Sequence, residues 1–122
     1  MSTTLGAVTP LFRIFDVAKA LEFYVDYLGF AVEWDHRFEP GLPLYMAVRR
    51  DGLTLHLSEH YGDGAPGASV RVAATGLEEL HAELAAKAYG YLRPALQRGE
   101  DELELCLLDP FGNRITLIET VS

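Results

Sequence analysis

Apolar and polar positions alternate through "DGLTLHLSEH", Asp51 to His60, in the manner of a half-buried strand. Leu53, Leu55 and Leu57 fall on one side, and Thr54, His56, Ser58 and His60 on the other. A different period governs "FDVAKALEFYVDYLGF". There Val17, Ala20, Leu21, Tyr24, Val25 and Leu28 recur at three-and-four spacing, Asp16 is placed to cap a helix, and Gly29 suits a left-handed stop. A second helix is predicted over "TGLEELHAELAAKAYG". Its stripe is Leu77, Leu80, His81 and Leu84, with Thr75 and Glu78 at capping-box spacing and Gly90 at the end. A strand-like run precedes each helix, "AVTPLFRIF" and "ASVRVAA". Three follow each: "FAVEW", "LYMAVRR" and "LTLHLSE", then "GYLRP", "ELELCLL" and "NRITLIET". Asp109-Pro110-Phe111-Gly112-Asn113 reads as a hairpin turn whose Gly and Asn tolerate positive φ.

The two halves align. Gly52 matches Gly112, Leu55 matches Ile115, His56 matches Thr116, Leu57 matches Leu117 and Glu59 matches Glu119; the caps Asp16 and Thr75 fall at almost the same offset. The repeat is a βαβββ unit of about sixty residues. Module 1 is expected at about 7–60, a glycine-rich joint, "HYGDGAPGA", at about 60–68, and module 2 at about 69–120. Half a chain of this size cannot bury both faces of its own strands, so residues 1–122 are expected to form a single α+β domain.

Charge and composition narrow the function classes. Eighteen acidic residues against ten Lys and Arg give a formal net charge of −8, the wrong sign for a phosphate backbone, so nucleic acid is not an expected partner. The charge can steer a cationic small molecule or serve solubility alone. No run is long enough to cross a bilayer, and "MSTTLGAVTP" lacks the charged start and apolar stretch of a signal peptide. A cytoplasmic protein with no membrane partner is expected. The single cysteine, Cys106, sits in an apolar run with no basic neighbour to activate it, and reads as a small core residue.

The paired modules, with "DVAKALEFYVDYLGF" in the first and "DPFGNRITLIE" closing the second, resemble the vicinal-oxygen-chelate group. That group includes glyoxalase I, extradiol dioxygenases, fosfomycin-modifying enzymes and the bleomycin resistance proteins. Adding "VEWDHRFEPGLPLYMAV" and "TGLEELHAEL", the chain is most similar to the bleomycin resistance proteins. The resemblance implies two tandem βαβββ modules forming a curved, mostly antiparallel sheet cleft, with helices on the outside.

Enzymes of the group hold a metal with His, Gln or Glu from the first and last strands of each module. The matching positions here are Thr9, His56, Ser69 and Thr116, of which only His56 is a good ligand. His60 lies four residues along the same strand, about 13 Å away at the usual rise, and Glu59 has the opposite parity. His81, on the inner stripe of the second helix, reads as a hydrogen-bonded core histidine. No metal and no cofactor are therefore expected. A divergent metal-dependent enzyme of glyoxalase or dioxygenase type, using His56 with Glu59, His36 or a ligand from a second chain, is the alternative.

Without a metal, the cleft becomes a ligand site. Trp34 and Phe38 share strand parity, and Glu33, Asp35 and Glu39 lie among them, in a stretch stiffened by Pro40 and Pro43. Such aromatics also suit a core or a dimer contact. The resemblance implies that Glu33, Trp34 and Phe38 help form a drug cleft in a homodimer that sequesters a bleomycin-like cationic ligand without chemistry. It also implies that N-terminal strands exchange at Pro10. The family's Pro-Trp-Gly motif before the closing strand pair is replaced here by Glu100-Asp101-Glu102. Three carboxylates stand where a ring is expected, which suits a cationic ligand and leaves Tyr61, Tyr89 or Tyr91 as substitute stacking partners. The expected ligand-binding set is Glu33, Trp34, Phe38, His56, Tyr61, Glu100, Asp101 and Glu102, with no catalytic residue.

Overall fold

Asp16 starts the first helix: its backbone is extended, and its carboxylate accepts from Lys19 N at 2.9 Å. Helix α1, Val17–Leu21, continues without a break into a wider π-type turn, Glu22–Tyr27. Leu28 N donates to Phe23 O, five residues back, at 2.9 Å. Widening the turn brings Phe23, Tyr24 and Tyr27 onto the core together, where all three are buried. Gly29 ends the helix at φ +77°, as its position in the sequence predicts. A methyl group there would stand 3.1 Å from Arg50 Nη1, which donates to Leu28 O at 2.6 Å and closes the helix C-terminus.

The computed structural model describes residues 2–121. Its strands are β1 (Leu11–Arg13), β2 (Ala31–His36), β3 (Tyr45–Arg50) and β4 (Leu53–Ser58), then β5 (Ser69–Ala73), β6 (Leu96–Arg98), β7 (Glu102–Leu108) and β8 (Arg114–Thr120). They form two four-stranded sheets, ordered β1-β4-β3-β2 and β5-β8-β7-β6. In each sheet the first strand runs parallel to its neighbour and the remaining pairs are antiparallel. The registers repeat: Leu11 and Ala47 flank His56 in the first sheet as Arg71 and Cys106 flank Thr116 in the second. The fold is α+β with two βαβββ modules, as the sequence predicts.

Helix α2, Leu77–Ala85, departs from its predicted ends. The capping box of Thr75 and Glu78 does not form, because Gly76 is the N-cap, in the left-handed region at φ 72°. Glu119 of β8 caps instead, accepting from Gly76 N at 3.1 Å and Leu77 N at 3.0 Å. The helix stops at Ala85, short of Gly90, because the following residues pack on module 1. Lys87 Nζ donates to Asp26 O at 3.1 Å and Tyr27 O at 2.6 Å, and Tyr89 stacks on Tyr27 at 4.5 Å. "GYLRP" is correspondingly irregular, and the strand begins only at Leu96.

One apolar cluster spans both modules. Phe12, Ile14, Met46, Val48, Leu55 and Leu57 from the first sheet meet Leu105, Leu107, Ile115 and Leu117 from the second, through Phe23, Tyr24, Leu77 and Leu84 of the helices. Each fully buried Leu, Ile or Phe contributes about 1.5–3 kcal/mol. The leucines of "LTLHL" therefore fix which face of β4 turns inward. Thr54, His56 and Ser58 are left on the opposite face, where the site lies.

Candidate functional site

β2 carries a bulge. Val32 pairs with Val48 and Trp34 with Ala47, so Glu33 is the extra residue and Trp34 is set opposite Ala47. Ala47 in turn pairs with His56, which places Trp34, Ala47 and His56 in one row across three strands. His36, Tyr45 and Ser58 form the next row. Because Ala47 ends at Cβ, the indole and imidazole close over it, with ring centroids 5.2 Å apart and nearly perpendicular at 71°. Ala47 is fully buried beneath them.

Tyr45 completes the cluster. Its ring lies 5.7 Å from Trp34 and within 5° of parallel, and 5.3 Å from His56. Its hydroxyl lies 2.7 Å from His56 Nδ1. Burial, aided by the charge of Asp63, raises the phenol's pKa above its usual value, so it stays protonated. The hydrogen bond between this hydroxyl and Nδ1 fixes the orientation of the imidazole beside the indole. Trp34 is 46% exposed, so the indole keeps a free surface while its orientation is set from behind.

The predicted site residues fall in three places. Trp34 and His56 are brought together, whereas Phe38 lies beyond the end of β2 and packs edge-on against His36 at 5.0 Å and His60 at 6.2 Å. Strand parity from Trp34 to Phe38 thus fails, because the strand stops at His36. Glu33 Oε2 stands 4.0 Å from Arg49 Nη1, which offsets part of its charge. Tyr61, in the joint between modules, is 97% exposed. Glu100 and Asp101 lie in the turn from β6 into β7, which Glu102 begins, with Gly99 N donating to Glu102 O at 2.9 Å and Val121 N to Asp101 O at 2.7 Å. Among the described residues no hydrogen bond or ion pair joins that turn to the aromatic wall. Tyr89 is not a substitute stacking partner, since its ring is held against Tyr27 and Phe23 on the core side. Tyr91 packs edge-on against Tyr89 at 5.5 Å and belongs to that same group.

Tyr45 and Ala47 are absent from the predicted set. Their signal was the Asp51-Gly52 turn: Asp51 at φ 52° fixes the register in which Tyr45 faces Ser58 and Ala47 faces His56.

The donor chemistry at His56 does not fit a transition metal. Its row neighbours are Leu11 and Ala47, and its Nδ1 is engaged by Tyr45. No group of three or more His, Cys, Asp or Glu converges among the described residues. Thr116, the repeat counterpart of His56, lies 4.0 Å from Cys106 Sγ, and Ser69 and Thr9 are exposed hydroxyls. His81 Nε2 lies 3.1 Å from Pro94 O, the satisfied half-buried position expected of it.

The chain is similar over most of its length to several solved proteins. A bleomycin-binding protein solved in complex with bleomycin is 25% identical, with a TM-score of 0.69 over 95% of this chain and 99% of that one. The bleomycin-binding protein of bleomycin-producing Streptomyces verticillus, solved with copper(II)-bleomycin, is 28% identical, with a TM-score of 0.64 over 100% and 99%. TnmS3, an antibiotic-binding protein from Streptomyces sp. CB03234, shares the fold at 21% identity, with a TM-score of 0.69 over 97% and 99%. No curated protein sequence matches the chain. The family described as "Glyoxalase superfamily protein" matches residues 2–122, and the chain belongs to that superfamily.

Proposed function

We propose that the chain binds and sequesters a cationic aromatic small molecule without chemistry, on the wall formed by Trp34, Tyr45 and His56. The observation that carries this reading is the stacked Trp34–Tyr45 pair. A large, half-exposed aromatic surface fixed from behind loses little freedom when a planar ligand settles on it. The His56 ring, held by Tyr45, adds a polar group beside the stack. The net charge of −8 and the exposed Asp35 and Glu39 favour a cationic partner. The similarity to two bleomycin-binding proteins, at 25% and 28% identity, supports this choice of ligand class.

In this reading the wall is half a cleft, and a second copy of the chain supplies the rest. β2 is an edge strand exposed along its whole length, so an opposing surface is needed to enclose a drug-sized ligand. Glu100, Asp101, Glu102, Tyr61 and Phe38 are assigned to that enclosure. Residues 2–9 are exposed and include the apolar Leu5 and Val8, while Pro10 O accepts from His56 N at 2.9 Å. A homodimer with strand exchange at Pro10 would cover these residues. The cytoplasm is its proposed compartment.

Trp34 is the only tryptophan, so its fluorescence reports on this wall alone. Titration with bleomycin is expected to change the emission saturably, at one drug per chain. Folded, dimeric protein that shows no response at micromolar bleomycin overturns the proposal.

A further inference from the structure

The modules meet on their helix side around a cavity of about 710 Å³ that shares no lining residue with the aromatic wall. Phe30, Leu77, Leu80, Ile115 and Leu117 give it apolar walls. Its volume lies within the range of small-molecule sites, and a few charged groups stand around the apolar interior, which is the usual composition of such sites.

The charges at the mouth are not equivalent. Arg50 is committed to Glu83, at 3.0 and 3.2 Å, and to Leu28 O. That hydrogen-bonded guanidinium holds the Glu83 carboxyl below its usual pKa, so the pair stays ionised at neutral pH. Lys87 also lies 3.7 Å from Glu83, with its ammonium bound to helix carbonyls. Asp51 is only 3.9 Å from Arg50 Nε and points mainly to solvent. Glu79 forms no ion pair among the described residues, and its carboxylate lies over the first turn of α2 beside Gly76. The rim charges least compensated by a cationic side chain are therefore carboxylates, Glu79 at the start of α2 and Asp51, which points mainly to solvent.

The geometry points to a second binding site here, for an amphipathic cation: an alkyl or aryl body within the cavity and an ammonium group on Glu79. This inference goes beyond the proposed function, because neither the residues nor the ligand geometry is shared with the Trp34 wall.

Octylammonium is a suitable probe, with hexylammonium and octanoate as controls, followed by NMR of the full chain. Octylammonium is expected to shift the methyl resonances of Leu80 and Ile115 without moving the Trp34 indole. Two further methylenes should tighten binding on the order of tenfold over hexylammonium. Octanoate should bind more weakly than octylammonium. Glu79→Gln, an exposed substitution that leaves the apolar walls intact, should weaken octylammonium roughly two- to fivefold. Ala74→Phe, which fills the cavity, should abolish the methyl shifts. Absence of shifts at millimolar octylammonium, or shifts confined to Trp34, overturns the inference. So does binding that appears only after residues 2–9 are removed, because the cavity would then belong to the amino-terminal arm of the chain.

Discussion

Tyr24 donates a 2.7 Å hydrogen bond to Asp109, joining the first helix of one module to the closing hairpin of the other. Asp109 Oδ2 also accepts from Asn113 Nδ2 at 2.9 Å, and Oδ1 accepts from the backbone of Phe111 and Asn113 at 2.8 Å each. Asn113 Nδ2 donates onward to Arg13 O in the first module at 2.8 Å. The stretch "DPFGN", which reads as a turn, is thus a buried lock between the repeats. Tyr24→Phe leaves Asp109 with its other three donors and is expected to cost about 1.5–3 kcal/mol. Asp109→Ala strands several donors at once and is expected to cost more, at least ~3 kcal/mol. Urea midpoints measure both, and an unchanged midpoint for Tyr24→Phe would show that the bond adds nothing.

The same bond gives the fold an alkaline signature. Burial first, and then the charge and hydrogen bond of Asp109, raise the Tyr24 pKa well above its usual value. The native phenol keeps its proton where the unfolded chain has lost it. Its stability contribution is therefore complete below about pH 10 and falls as pH rises from there through the native pKa. Tyr24→Phe is expected to be less stable than the parent at neutral pH and to lose stability less steeply above about pH 10. Tyr27, Tyr45 and Tyr89, also raised chiefly by burial, add to the slope in both proteins. Parallel stability curves for the two proteins would remove Tyr24 as the source.

Gly29 tests the closure of the first helix. Its φ of +77° strains any residue with a Cβ, and that atom would crowd Arg50 Nη1 at 3.1 Å. Gly29→Ala is expected to destabilise by about 1–2 kcal/mol. Arg50→Ala should cost a similar amount by uncapping Leu28 O and releasing Glu83. The double variant should then lose less than the sum, since the crowding disappears with Arg50. Additive losses in denaturation would show that the two residues act separately.

Features carried by local chemistry were legible in the chain, and features carried by register were not. Asp16 caps as its side chain predicts, and Leu55 and Leu57 turn inward as their parity predicts. His56 and Thr116 occupy equivalent places, as the aligned halves predict. By contrast, Glu119 displaces the capping box at Thr75 from more than forty positions away, a distance at which spacing carries no signal. The π-type turn answers the need to bury three aromatic rings at once, which a 3.6-residue template does not represent. Trp34 meets His56 only because a bulge at Glu33 and a small residue at Ala47 coincide on neighbouring strands.

If the stacked pair is the ligand platform, its two rings should fail differently. Trp34→Ala removes the exposed surface and is expected to lower bleomycin affinity by about 1–3 kcal/mol, or roughly fivefold to 150-fold. Tyr45→Phe retains the stack and removes only the hydroxyl beside His56 Nδ1. It should weaken binding by about 1 kcal/mol, because His56 is then free to turn or change tautomer. Calorimetric titration of folded variants separates these cases, and equal affinities for the parent and Trp34→Ala would move the site elsewhere.

Ala47 makes the sharpest test of the cluster, because it touches neither solvent nor the exposed face of Trp34. Its small side chain is what lets two rings from outer strands meet across the middle one. Ala47→Leu should wedge the indole away from the imidazole and break the parallel stack on Tyr45. The overpacking is expected to cost about 1–3 kcal/mol of stability, while most of the bleomycin affinity is lost. Ala47→Ser adds one small atom and should keep both, provided its hydroxyl finds a partner. Trp34 emission in the absence of drug gives a second readout, shifting to longer wavelength in Ala47→Leu as the ring is freed toward water. Retained affinity in Ala47→Leu, with the emission shifted, would show that ligand binding does not depend on the arrangement of Trp34 against His56.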